Sequence, residues 1–169
     1  FRLDAPGISG WADLESGRAA FVLRSATPVP DVEYLLRILV ALMAQRSGGM
    51  LLHAAGLVLE GKAVLFFGAS GSGKSTVVSL SRRAAALSDD LVAVAPPDDP
   101  RHDQRWLAHA TPFWNGGAPS ALVANGRAPI SGAYRLVQDP EVFLEPMSRG
   151  QAVAELVASC PVVNGIPEL

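Results

Sequence analysis

One stretch constrains this chain more than any other: Gly68-Ala69-Ser70-Gly71-Ser72-Gly73-Lys74-Ser75. It satisfies G-x-x-x-x-G-K-[ST] at every fixed position, directly after the apolar run Ala63 to Phe67 and directly before residues suited to a helix. A strand, a tight glycine loop and a helix N-terminus are required in that order, which makes the chain α/β. Glycines reach backbone angles that other residues resist, so successive N–H groups curl into an anion cradle, and the helix N-terminus adds partial positive charge. Gly68, Ser70, Gly71, Ser72, Gly73, Lys74, Ser75 and Thr76 form the candidate phosphate-binding set, with Lys74 for the β and γ phosphates and the Ser75 hydroxyl for Mg2+. ATP and Mg2+ are the ligand and metal this implies.

The charge balance leaves that work to the loop itself. With 14 basic against 16 acidic residues the net charge is −2, so no global field draws the chain to nucleic acid or to an anionic membrane, and neither is an expected partner. The longest apolar run, Leu35 to Ala44, is interrupted by Arg37 and falls far short of the ~20 residues a membrane span needs. A single cysteine, Cys160, forms no internal disulfide; it fits a cytoplasmic, reducing compartment and reads as a small buried apolar residue. At 169 residues and 49% hydrophobic, the chain reads as a single domain over 1–169. Phe1 heads it where a methionine would stand, as in a trimmed chain.

Around the loop, residues 1–30 read as a β preamble of one or two short strands closed by Thr27-Pro28-Val29-Pro30. Apolar residues at helical spacing predict a helix from about Val32 to Arg46, with Asp31 as its N-cap and Gly48-Gly49 at its end. Met50 to Leu59 and Ala63 to Phe67 are joined by Glu60-Gly61-Lys62, a connection that closes a hairpin. The strand entering the loop is therefore antiparallel to its predecessor, and the sheet is mixed. A helix from Ser75 to about Ala86 and a strand from Leu87 to Val94 complete a nucleotide-binding core over 50–95. Beyond it, 101–130 read as loop-dominated with short strands, Ala133 to Val137 as a strand, and Gln151 to Ser159 as an amphipathic helix headed by Ser148.

Asp89 and Asp90 follow Lys74 by one helix and a short return, a spacing that brings them back beside the loop. One carboxylate there can ligate Mg2+, directly or through water, while its neighbour accepts the proton of an attacking hydroxyl. Both are catalytic candidates with Lys74, and Ser75 and Asp90 are the metal candidates. His53 lies on the first hairpin strand, whose far end returns to the loop. No apolar strand ending in aspartate follows residue 90, and no Leu-Ser-Gly-Gly-Gln-like segment is present, so a hydrolysis-driven machine is the lesser reading.

The segments "HAAGLVLEGKAVLFFGASGSGKST" and "LSDDLVAV" resemble the HPr serine kinase group, including divergent relatives found beside peptide-modification genes, and are similar in outline to ATP-dependent phosphoenolpyruvate carboxykinases. The likeness is specific over 50–95 and extends more weakly through "TPFW" and "YRLVQ". It implies a P-loop kinase that moves the γ-phosphate of ATP to a serine hydroxyl on a protein or peptide, often as an oligomer, with Asp89 or Asp90 as base and His53 beside them. The chain departs from HPr kinases proper at Ala69, where they commonly carry an acidic residue, and at Thr76, where they carry glutamate. Their later glycine-rich signature is missing and the C-terminal helical portion looks curtailed at Leu169. HPr itself, and the reverse phosphorolysis, are for that reason not expected. A nucleotide hydrolase or switch, and a catalytically silent nucleotide-binding module, are the alternatives.

Overall fold

The computed structural model describes residues 1–24, 28–101, 103–115, 122–124 and 126–161. Its preamble is a three-stranded antiparallel meander, β1 (Arg2–Ala5), β2 (Ile8–Asp13) and β3 (Arg18–Leu23), one strand more than the composition suggests. Helix α1 follows (Pro28–Arg46) and begins four residues before the predicted start. Prolines are tolerated in a first helical turn, where N–H groups have no intrahelical partner, so Pro28 and Pro30 open the helix where the sequence suggested a break. Asp31 is consequently a first-turn acid and not the cap. The helix ends as the sequence indicates: Gly48 takes φ 73°, its N–H bonds Gln45 O at 2.9 Å and that of Gly49 bonds Ala44 O at 2.8 Å, a Schellman closure.

β4 (Met50–Leu59) and β5 (Lys62–Phe67) form the expected hairpin, with Leu59 opposite Lys62. Glu60 and Gly61 both sit at positive φ, as a two-residue type I′ turn requires. α2 (Lys74–Leu80) is only seven residues long, against a predicted dozen. Its successor is not one strand over 87–94 but two, β6 (Ala85–Ser88) and β7 (Leu91–Ala95), which pair in line along one edge of β4 and are interrupted at Asp89-Asp90. Chain that composition assigned to helix and loop is thus extended, because pairing along β4 outweighs the helix propensity of the alanines.

Next come β8 (Leu107–His109), β9 (Leu122–Val123) and β10 (Arg127–Arg135). β10 starts six residues ahead of the strand predicted at Ala133, inside the region read as loop. α3 (Arg149–Ala158) closes the described chain, with the Ser148 hydroxyl accepting from Gln151 N at 3.3 Å as its N-cap. The main sheet is mixed and seven-stranded, in the order β5-β10-β8-β7-β4-β6-β9, and β5 also pairs with β4. Five strands therefore close on themselves, with β6 and β9 leading away from β4. β10 runs parallel to β5 and β9 parallel to β6; the remaining pairings in this sheet are antiparallel.

Strand alternation sorts the residues of β4 to two faces. Leu52 and Ala54 turn inward with Leu65, Phe67, Leu87, Val92, Val94 and Ala108, forming the main core, which Leu156 and Cys160 join from the end of α3. The opposite face carries both helices: Leu51 packs with Ala41 of α1, and Ala55 and Leu57 pack with Val78 of α2. His53 belongs to that outer series, between the residues under α1 and those under α2. Cys160 is 5% exposed, and burial pushes its thiol pKa up, in keeping with a packed apolar role.

Candidate functional site

The glycine loop begins where β5 leaves the sheet. Gly68, Gly71 and Gly73 take φ of 147°, 79° and 106°, so the three glycines of the motif are the residues whose backbone angles need them. Gly73 caps α2, and its carbonyl accepts the first helical bond from Val77 N at 2.9 Å. A side chain at Gly68 would come within 2.9 Å of Leu136 O and 3.0 Å of Ser72 Oγ, so the loop is seated hard against the segment leaving β10. Gln138 ties the same segment to the loop tip by donating to Gly71 O at 2.7 Å.

Lys74 is 6% exposed and folds back into the loop, its Nζ donating to Gly68 O at 2.9 Å and Ala69 O at 3.1 Å. Burial lowers its pKa, partly offset by the negative charge of Asp90. The ammonium is thus desolvated and held by two neutral carbonyls, a weaker set of acceptors than charged oxygens would be. Ser70, Ser75 and Thr76 are exposed along the loop and the first turn of α2. Ser72 Oγ is buried without a hydrogen-bond partner among the described residues.

The turn between β6 and β7 supplies the carboxylates. Ser88 organises it: its buried hydroxyl donates to Phe113 O at 2.5 Å and accepts from Asp90 N and Leu91 N, each at 3.0 Å. Asp89 and Asp90 are 6% and 4% exposed, unlike an ordinary acidic turn. Asp90 Oδ1 lies 3.3 Å from His53 Nε2, and Oδ2 lies 2.6 Å from a guanidinium nitrogen of Arg37. The Arg37 contact is an ion pair without hydrogen-bond alignment, which leaves Oδ2 buried with no aligned donor. Burial works against this carboxylate, but the neighbouring His53 and Arg37 outweigh it and hold the Asp90 carboxyl below its ordinary value.

A loop after β8 completes the site. Thr111 Oγ1 donates to Leu91 O, Phe113 is buried beneath α1, and Asn115 N donates to Asp89 Oδ1 at 2.8 Å. The Asn115 side chain reaches Asp90 Oδ1 at 3.4 Å, and the Arg37 guanidinium lies 5.2 Å from the Phe113 ring centre. Thr111-Pro112-Phe113-Trp114, read from the sequence only as part of a resemblance, is the latch that holds the aspartate pair.

His53, Asp89, Asp90 and Lys74 are accordingly gathered on one sheet face, with the loop residues beside them. Sequence reasoning missed Arg37, Ser88, Asn115 and Gln138. Arg37 had a signal, as the lone charge inside an apolar helical run. Phe66, on the strand that enters the loop, stacks on Tyr134 at 5.9 Å. Arg135, at the end of β10, pairs with Glu155 of α3 at 3.0 Å.

Among the described residues no three or more His, Cys, Asp or Glu side chains converge as a metal cage. Mg2+ asks less of a protein: one or two hard oxygen ligands, with waters and substrate phosphates filling the rest. Ser75, exposed at the head of α2, and the carboxylate of Asp90 are oxygen ligands of that kind, with Oδ2 of Asp90 also facing Arg37 at 2.6 Å. No helix of the described residues is long and apolar enough to cross a membrane.

The family model described as the SynChlorMet cassette protein ScmC matches residues 31–165, and the chain belongs to that family. The match begins within α1 and takes in the hairpin, the glycine loop, the aspartate turn and α3. No curated protein matches the chain.

Proposed function

We propose that this protein is an ATP-dependent serine kinase of HPr-kinase-like type, transferring the γ-phosphate to a serine hydroxyl of a protein or peptide. The observation that carries the reading is the buried Asp90, 3.3 Å from His53 and 2.6 Å from Arg37, together with the buried Lys74 folded into the glycine loop. Two buried carboxylates beside a desolvated lysine suit phosphoryl transfer, which asks for positioning and charge neutralisation more than covalent help.

When bound, Mg2+ and ATP supply the transferable phosphoryl group and part of the counter-charge. Lys74 moves its donors from the Gly68 and Ala69 carbonyls to phosphate oxygens, and the amides of the loop hold the rest. A carboxyl held ionised is a weak base and a good cation partner, so Asp90 would hold Mg2+ with Ser75. Asp89, oriented by Asn115 N, is then the group that positions the serine hydroxyl and accepts its proton as Oγ bonds phosphorus and ADP departs. His53 and Arg37 are positioning residues that fix Asp90. The family description, a cassette protein, directs the choice of acceptor toward products encoded with it.

The test is incubation of γ-labelled ATP and Mg2+ with candidate acceptors, comparing the native chain with Asp89→Asn, Asp90→Asn and Lys74→Ala. Label on serine, lost in Asp89→Asn with nucleotide affinity kept, is the expected result. Equal transfer by the native chain and Asp89→Asn would remove the base assignment. Nucleotide bound with no transfer to any acceptor would leave a silent binding module.

A further inference from the structure

A second feature adjoins the aspartate turn. Val29, Val32 and Leu36 repeat along one stripe of α1 and remain exposed at 75%, 36% and 43%, although the same helix buries Leu35 and Ala41. Opposite them stand Pro112 and Phe113, and the space between is an apolar cleft of about 340 Å3. Its one charged wall residue, Glu33, is engaged with Arg37 at 2.7 Å. Binding pockets for whole ligands run from roughly 300 to 1,000 Å3, so this volume suits a side chain more than a nucleotide.

The cleft is continuous with the candidate site. Phe113 is both its floor and the ring beneath the Arg37 guanidinium, and Arg37 in turn touches Asp90. The loop that forms one wall also bonds both aspartates through Asn115. Whatever enters the cleft therefore touches Phe113, the ring on which the guanidinium that faces Asp90 rests.

We propose that this cleft takes an apolar side chain of the acceptor, Leu, Ile, Met or Phe, next to the serine that is phosphorylated. The inference rests on the kinase reading above and adds to it a substrate class: serines in an apolar local context. An extended segment advances roughly 3.3–3.6 Å per residue, so a wall one guanidinium away from Asp90 places the apolar residue about two or three positions from the serine. Glu33 is already paired, and the other wall residues offer no side-chain hydrogen-bonding group, so a polar residue there would give up its water without return.

Fluorescein-labelled peptides with a central serine, carrying Leu or Gln at each of the three positions on either side, test this by anisotropy with the native chain, Leu36→Gln and Val32→Ser. Both substituted positions are exposed enough for the fold to tolerate the change. The expected result is about tenfold tighter binding of peptides with Leu two or three positions from the serine, with the preference lost in both variants. No Leu preference, or a preference unchanged in both variants, overturns the proposal. So does concentration-dependent dimerisation abolished by Leu36→Gln, which would assign the cleft to a second copy of the chain. Transfer of label from γ-labelled ATP to the same peptides separates the two readings. Leu-dependent binding without transfer removes the kinase and keeps the peptide cleft; transfer without Leu dependence removes the cleft alone.

Discussion

Replacing Arg37 by Met keeps much of the stem and removes the guanidinium facing Asp90. The Asp90 side chain is 6% exposed and that of Arg37 31%, so the variant leaves a desolvated carboxylate with only His53 at 3.3 Å and Asn115 at 3.4 Å. Removing one partner of a fully buried pair costs about 3–5 kcal/mol. Arg37 is partly solvated and His53 remains, so the cost here is about 2 kcal/mol, or roughly 4–8 °C in Tm for a domain of this size. Adding Asp90→Asn deletes the stranded charge and recovers more than half of the loss, a coupling of about 1–2 kcal/mol. Asp90 has its carboxyl held below the ordinary value in the folded state, so this contribution is present above about pH 4 and is lost as pH falls through the depressed value. Urea unfolding of the four proteins of the cycle, at pH 7 and near pH 3, measures both. Additive effects at pH 7, with coupling under about 0.5 kcal/mol, would refute the claim that Arg37 acts through Asp90.

Other outcomes follow from the same contacts. Ser88→Ala strands the Phe113 carbonyl and the Asp90 and Leu91 amides, and should lower stability by about 2 kcal/mol in urea unfolding while reducing phosphotransfer, whereas Ser79→Ala on exposed α2 should change neither. Lys74→Met removes a cation whose burial disfavours its charged form, so calorimetry should find stability within about 1 kcal/mol of native and titration no measurable ATP affinity. Leu87→Ala opens the main core at a fully buried position and should cost about 2–5 kcal/mol in urea unfolding. Cys160, buried with its thiol pKa raised, should react with Ellman's reagent only at the rate of unfolding.

The hairpin, the glycine loop and the order of helix after strand were legible because each rests on local chemistry: a glycine-bearing two-residue turn, positive φ at three glycines, an N-terminus where the motif demands one. The return of Asp89 and Asp90 beside the loop was legible from spacing, whereas His53 beside them was legible only through the family resemblance. The shortness of α2 was not, since residues 81–86 have helical composition, yet 81–84 form a turn and Ala85 and Ala86 become strand by pairing with β4, a contact between residues about thirty apart in sequence. Closure of the sheet through β10 and β5 is longer in range still, and Arg127 to Arg135 carries too little alternation to announce it. Arg37 and Asn115 reach Asp90 from elements far away in the chain, and nothing local marks them as partners. Pro28 misled because a proline that closes a strand can equally open a helix.

The most direct measurement is the fate of the γ-phosphate in a single turnover, with labelled ATP, Mg2+, the native chain and candidate serine peptides. Label partitioned into phosphoserine, faster than into free phosphate and dependent on Lys74, is what a kinase built on this loop and aspartate turn must give. Label appearing only as free phosphate, at a rate indifferent to acceptor, would contradict that account and leave a hydrolase in its place.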